Sequence, residues 1–159
     1  MKIFHLSGAD KEIISILRED ARKSYKEIAK KTGVAISTVH NTIKRLQDEG
    51  VIKNFSVKLE SRKLGFDITV FIGIQVGQGF MGEVEAKLKD NSNVCQLFAV
   101  TGEYDLLLIA KFRDTAELDM FTRSFLQKIQ GVQRTNTSLV LETLKERLNP
   151  TFEELIKKI

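Results

Sequence analysis

The tightest constraint on this chain is a pattern of apolar spacing that repeats in its second half. Ile68–Val76 alternates as a strand does, Phe80–Lys89 follows a helical spacing, and Val94–Thr101 returns to the strand pattern. The order then recurs: a strand over Asp105–Phe112, a helix over Ala116–Ile129 and a strand over Val132–Thr143. Turn residues, among them Gly77, Gly79, Gly102 and Gly131, separate the segments. The order β-α-β-β-α-β is that of a ferredoxin-like domain. Right-handed crossovers place both helices on one face of the sheet. The first and third strands are the most apolar and form its central pair.

The other face of that sheet carries information too. In the third strand Leu107 and Ile109 oppose Leu106, Leu108, Ala110 and Phe112, so both of its faces are apolar. An antiparallel sheet with one solvated face alternates apolar and polar residues instead. The uncovered face is expected to pack on a second copy of the chain. Cover by the linker or the C-terminal tail is the alternative, but neither supplies enough apolar residues.

The first 50 residues read as three helices, over Asp10–Glu19, Ser24–Lys31 and Ile36–Glu49. Ser7 and Asp10 form a start signal for the first, and Gly33 ends the second. Ile36, Val39, Ile43 and Leu46 form an apolar stripe on the third. Ala29, Gly33 and Val39 suit a helix-turn-helix: a small residue where helices cross, a glycine turn, and an apolar residue closing the core. Val51, Ile52, Phe55, Val57 and Leu59 predict one or two strands after Gly50. The expected organisation is residues 1–60 as a winged helix-turn-helix, 61–66 as linker, 67–145 as the ferredoxin-like domain and 146–159 as a tail helix. In the tail, Thr151 and Glu154 form a capping box ahead of Phe152, Leu155, Ile156 and Ile159.

Charge separates the two halves. Residues 1–60 hold 12 Lys and Arg against 8 Asp and Glu, an excess of 12 − 8 = +4, while residues 61–159 hold 13 of each. A basic module on a neutral remainder points to a polyanionic partner for the first part. The third helix carries Ser37, Thr38, His40, Asn41, Lys44 and Arg45 away from its apolar stripe, with Lys26 on the helix before it. Short polar side chains on the N-terminal half of such a helix reach base edges, and the following cations suit phosphates.

The run YKEIAKKTGVAISTVHNTIKRLQDEGVIKNF, with LESRKLGFDITVFIGIQV and TGEYDLLL after it, resembles the Lrp/AsnC family of regulators. The resemblance covers residues 6 to about 145 and leaves the last 14 outside. It implies an α+β chain, a winged helix-turn-helix joined to a ferredoxin-like domain, that binds specific duplex DNA sequences and regulates transcription. It further implies a dimer, with larger assemblies such as octamers, and a small effector, typically an amino acid. The implied effector site is Gly102, Glu103, Tyr104 and Asp105, together with Thr135, Thr137 and Ser138. Asp105 would hold an α-ammonium group, and Thr137 or Ser138 a carboxylate. An ordinary hairpin turn at these residues is the alternative.

Other classes are disfavoured. Cys95 is the only cysteine, which excludes an intrachain disulfide and a cysteine-based zinc site, and fits a reducing, cytoplasmic setting. No apolar run approaches the roughly 20 residues of a spanning helix. Met1–Asp10 lacks the apolar core of a secretory signal, so no membrane association is expected. The sequence carries no catalytic constellation and no metal or cofactor motif. Siroheme decarboxylase subunits, which share the two domains, look His-dependent in the second one. Here His5 and His40 both lie in the first. That enzyme reading and a low-specificity architectural DNA-binding protein are the alternatives to the regulator.

Overall fold

The first two helix starts are specified by side chains. In the computed structural model, which describes residues 4–146, Ser7 caps α1 (Gly8–Glu19). Its Oγ accepts from the Asp10 N–H at 3.2 Å, and the Asp10 carboxylate accepts from the Ser7 N–H at 2.9 Å. Ser24 and Glu27 repeat this exchange at α2 (Tyr25–Thr32). Each box satisfies two of the amides that a helix start leaves unpaired. Gly33 ends α2 at φ 72°, a left-handed conformation that disfavours any side chain. The third helix, α3, spans Ile36–Asp48. Ile13, Leu17, Ile28, Ala29, Val39 and Ile43 meet in one core. The stripe of α3 begins at Val39: Ile36, in the first turn, lies beyond that core and is half exposed.

The strands expected after Gly50 do not form; residues 51–60 hold no strand. Ile52 donates its N–H to the Leu46 carbonyl at 2.9 Å and packs on the trihelical core. Phe55, Val57 and Leu59 stay exposed. Cross-strand pairs stabilise a strand, and an alternating segment with no strand beside it lacks them. The segment expected to be a plain linker holds a 3-10 turn, Ser61–Leu64, whose Ser61 Oγ accepts from Lys111 Nζ at 2.6 Å.

The chain divides into two units, the described residues through Lys58 and Leu59–Glu146. The second unit runs β1 (Ile68–Val76), α4 (Met81–Lys89), β2 (Val94–Ala99), β3 (Leu106–Phe112), α5 (Thr115–Asp119) and β4 (Val132–Leu139). Its antiparallel sheet has the order β2-β3-β1-β4, so β1 and β3 are central as expected. The second helix is not uniform. A π turn, Met120–Phe125, and a 3-10 turn, Leu126–Lys128, follow α5. A wider turn shifts the helical phase. It brings Phe121 to 5.1 Å from Phe112 and lets Phe125 and the adjacent Leu126 both reach the core. β2 and β4 stop at Ala99 and Leu139, short of Thr101 and Thr143. The expected tail helix lies outside the described residues.

The sheet is two-sided. Val70, Ile72, Ile74, Leu106, Leu108, Ala110 and Phe112 are fully buried in one core. The residues between them, Phe71, Leu107 and Ile109, face the other way, joined by Phe98, which pairs with Leu107. Phe71 and Phe98 are 47% and 49% exposed, so this apolar face is open. No helix among the described residues is long and apolar enough to cross a membrane.

Candidate nucleic-acid interface and effector loop

The outer face of α3 follows from what its inner face buries. Val39, Ile43 and Leu46 are buried at spacings of four and three, which turns Ser37, Thr38, His40, Asn41 and Lys44 outward; all five are exposed. Ala35, the N-cap residue, makes no side-chain cap, so the first amides of α3 remain available to an acceptor. His40 rests edge-on to Tyr25 with ring centroids 5.6 Å apart, and its Nδ1 lies 3.3 Å from Asn41 Oδ1. Lys26 is exposed one position further along α2. The exposed polar residues of α3 thus meet α2 at the Tyr25–His40 contact.

Arg45 differs from the others. Its Nη2 donates to Asp10 Oδ1 at 2.5 Å, and its guanidinium lies over the Phe4 ring, 5.4 Å from the centroid. The Asp10 side chain is only 4% exposed. Burial pushes its carboxyl up, but the Ser7 amide, Arg45 and the Ser7 hydroxyl together hold it below its ordinary value. Arg45, expected from sequence to face a phosphate, has its guanidinium engaged by α1 here, while its side chain stays 45% exposed. The partner residue lies 35 positions away, so no local spacing could reveal it.

In the second unit the effector residues expected from sequence divide between two faces. Thr135 and Thr137 pair with Ile74 and Ile72 and share their helix-covered face. Ser138 pairs with Phe71, on the open face. A single ligand on one face therefore cannot meet both Thr137 and Ser138 of one chain, because neighbouring strand residues point oppositely. The loop after β2 lies with the open face. Gly102 has φ 118°, and Tyr104 folds back onto Gly73, where a Cβ would sit 2.7 Å from the ring. Gln75 Nε2 donates to the Glu103 carbonyl at 2.8 Å. Asp105 Oδ2 accepts from the Val76 N–H at 2.8 Å, at the point where the β1–β4 register shifts. Asp105 thus supports the strand, and one of its oxygens is already occupied. The β4 residues that share the face of Tyr104 are Asn136, opposite Gly73, and Arg134, opposite Gln75; the sequence reading missed both. A shallow depression lined by Ala99, Val100, Thr101 and Leu107 adjoins the loop. Among the described residues no group of His, Cys, Asp and Glu is arranged to hold a metal.

Comparison with known proteins extends over both units. The Lrp/AsnC ligand binding domain matches residues 69–150, and a winged helix-turn-helix DNA-binding model matches residues 6–53. An uncharacterized HTH-type transcriptional regulator of Pyrococcus furiosus is 46% identical over 147 residues, 91% of this chain and 99% of its own length. The HTH-type transcriptional regulator FL11 of the same organism is 38% identical over 89% of this chain and 93% of its own. Among solved structures, E. coli AsnC aligns with a TM-score of 0.86 at 26% identity, over 92% of this chain and 99% of that one. A transcriptional regulator of Neisseria meningitidis, solved as a complex with L-Met, aligns with a TM-score of 0.88 at 25% identity, over 95% and 99%.

Proposed function

This chain belongs to the Lrp/AsnC family of HTH-type transcriptional regulators, and from that premise we propose how it works: it reads duplex DNA through α3, assembles through the open face of its sheet, and is gated by a small effector at the loop Gly102–Asp105. The carrying observation is the division of α3 into a buried apolar side and an exposed polar side. Ser37, Thr38, His40 and Asn41 meet base edges in the major groove, while Lys44 and Lys26 meet phosphates. In a two-fold dimer two copies of α3 enter grooves about 34 Å apart, or a multiple of that.

The open face supports the dimer. Phe71, Phe98, Leu107 and Ile109 present an apolar surface on the face opposite the helices of the sheet unit. Larger assemblies built from such dimers, in the cytoplasm, complete the reading. The L-Met complex of the Neisseria regulator supports an amino-acid class of effector. Glu103, Tyr104, Asn136 and Ser138 are the polar groups on or beside the open face that would meet it. The effector acts by binding one assembly state better than another, since equal affinity shifts no equilibrium.

Selection of bound duplexes from a random pool, with and without a mixture of amino acids, tests the whole proposal. A palindromic consensus whose occupancy changes with the mixture is expected. Equal retention of all sequences would leave only salt-dependent, architectural binding.

A further inference from the structure

We infer that Arg45 is a positioning residue: through its ion pair with Asp10 it sets the angle at which α3 presents Ser37, Thr38 and Asn41 to DNA, and it does not itself serve a phosphate. The inference rests on the DNA-reading role of α3 proposed above. Among the described residues Asp10 is the one buried charged group. Its two oxygens have separate partners, the Ser7 N–H at 2.9 Å and Arg45 Nη2 at 2.5 Å. The Phe4 ring lies under the same guanidinium. A side chain from the last turn of α3 is thereby pinned to the start of α1. Moving Arg45 onto a phosphate would leave the Asp10 carboxylate buried without its counter-ion. Lys44, the preceding residue, is exposed and has no ion pair among the described residues, so it is the free cation of this turn.

Geometry explains why such a pin matters. Ser37 precedes Arg45 by eight residues, about 12 Å along a helix axis, so a tilt of ~5° at Arg45 moves Ser37 by ~1 Å. A base-edge hydrogen bond does not survive that displacement. A lysine on a flexible stem follows its phosphate through it. Loosening the pin therefore costs discrimination between sequences and spares non-specific attraction.

The test compares a duplex selected with the wild-type protein against a random duplex of equal length, by anisotropy at several salt concentrations. The variants are Arg45→Lys, Arg45→Gln, Asp10→Asn and, as the phosphate control, Lys44→Ala. Partial unfolding lowers both affinities by one factor, so their ratio reports position and not folded fraction. Arg45→Lys retains the charge and guards against a variant that does not fold. Each Arg45 and Asp10 variant is expected to lower the ratio about tenfold while binding the random duplex within about threefold of wild type, with an unchanged salt slope. Lys44→Ala is expected to weaken both duplexes and flatten the slope by about 0.9. Asp10→Asn is the sharpest arm, because removing a negative charge tightens DNA binding if nothing else changes. The inference is overturned if Asp10→Asn preserves or raises the ratio, or if Arg45→Gln behaves as Lys44→Ala does. A wild-type protein that enriches no duplex overturns the DNA-reading role itself, and this inference with it.

Discussion

The two units solve the same burial problem to different extents. The three helices close their core on themselves: Ile13, Ile28, Val39 and Ile43 are inside, and the outer side of α3 is polar. The sheet unit closes only one side. Its helices cover Val70, Ile72, Ile74, Leu106 and Leu108, while Phe71, Phe98, Leu107 and Ile109 on the reverse remain apolar and open. A helix presents one stripe inward and is free to be polar elsewhere, whereas a central strand has two faces and needs two covers. The first unit is thus finished and offers a polar surface to a polar partner. The second leaves one apolar face uncovered.

The largest effect that would break this contrast is on assembly. Phe71→Asp places one unpaired carboxylate per protomer in the face proposed as the dimer interface, at about 2 kcal/mol each, and is expected to weaken self-association about a thousandfold. Sedimentation velocity over a concentration series checks it; an unaltered assembly would show that the open face is not the interface.

The finished unit has its own weak point in Asp10. Removing the carboxylate with Asp10→Ala leaves Arg45 without its partner and is expected to cost about 2–3 kcal/mol of stability, the lower end for a buried pair because Arg45 remains partly wet. The pH dependence follows from the same pair. Burial raises the Asp10 carboxyl, but its hydrogen bonds and Arg45 outweigh that and hold it below its ordinary value of 3.8. A carboxyl lowered by folding stabilises the folded form above its ordinary pKa, and that contribution drains away as pH falls through the folded value. The wild type is therefore expected to lose stability more steeply than Asp10→Ala in acid below about pH 4, read by denaturant melts at stepped pH.

Gly73→Ala is a gentler probe of the sheet unit. The new methyl would sit 2.7 Å from the Tyr104 ring. The ring must move, at a cost of about 1–2 kcal/mol, and the Gly102–Asp105 loop moves with it. A thermal melt reads the stability, and a titration with amino acids reads the loop. The smallest effect belongs to Lys44→Ala, which is expected to weaken binding to every duplex about three- to tenfold near 0.15 M salt, without changing fold or assembly.

Legibility from sequence followed the range of the interaction. The bounds of β1 were readable to the residue, and so was the Ser7 start of α1, whose partner Asp10 lies three positions away. The pairing of β1 with β3 was readable from their shared apolarity. The strands after Gly50 were not, because alternation specifies a strand only where a neighbour exists to pair with it. The π turn at Met120–Phe125 was hidden for a related reason: packing of Phe121 and Phe125 onto the sheet, not local preference, decides it. In the effector region, the family resemblance implied Thr137 or Ser138 as a carboxylate partner, and the pleat sends these two to opposite faces.

By itself, then, the sequence determined the strand and helix order of the second unit, the three helices of the first, the Ser7 and Gly33 helix ends and the polar surface of α3, all of which depend on residues within about one helical turn or one strand of each other. Only the tertiary structure decided that Arg45 answers Asp10 across 35 residues, that Tyr104 lies on Gly73, and that Asp105 supports the Val76 amide. Those contacts join segments distant in the chain. Their energy depends on burial and angle, which exist only once the backbone has brought the partners together.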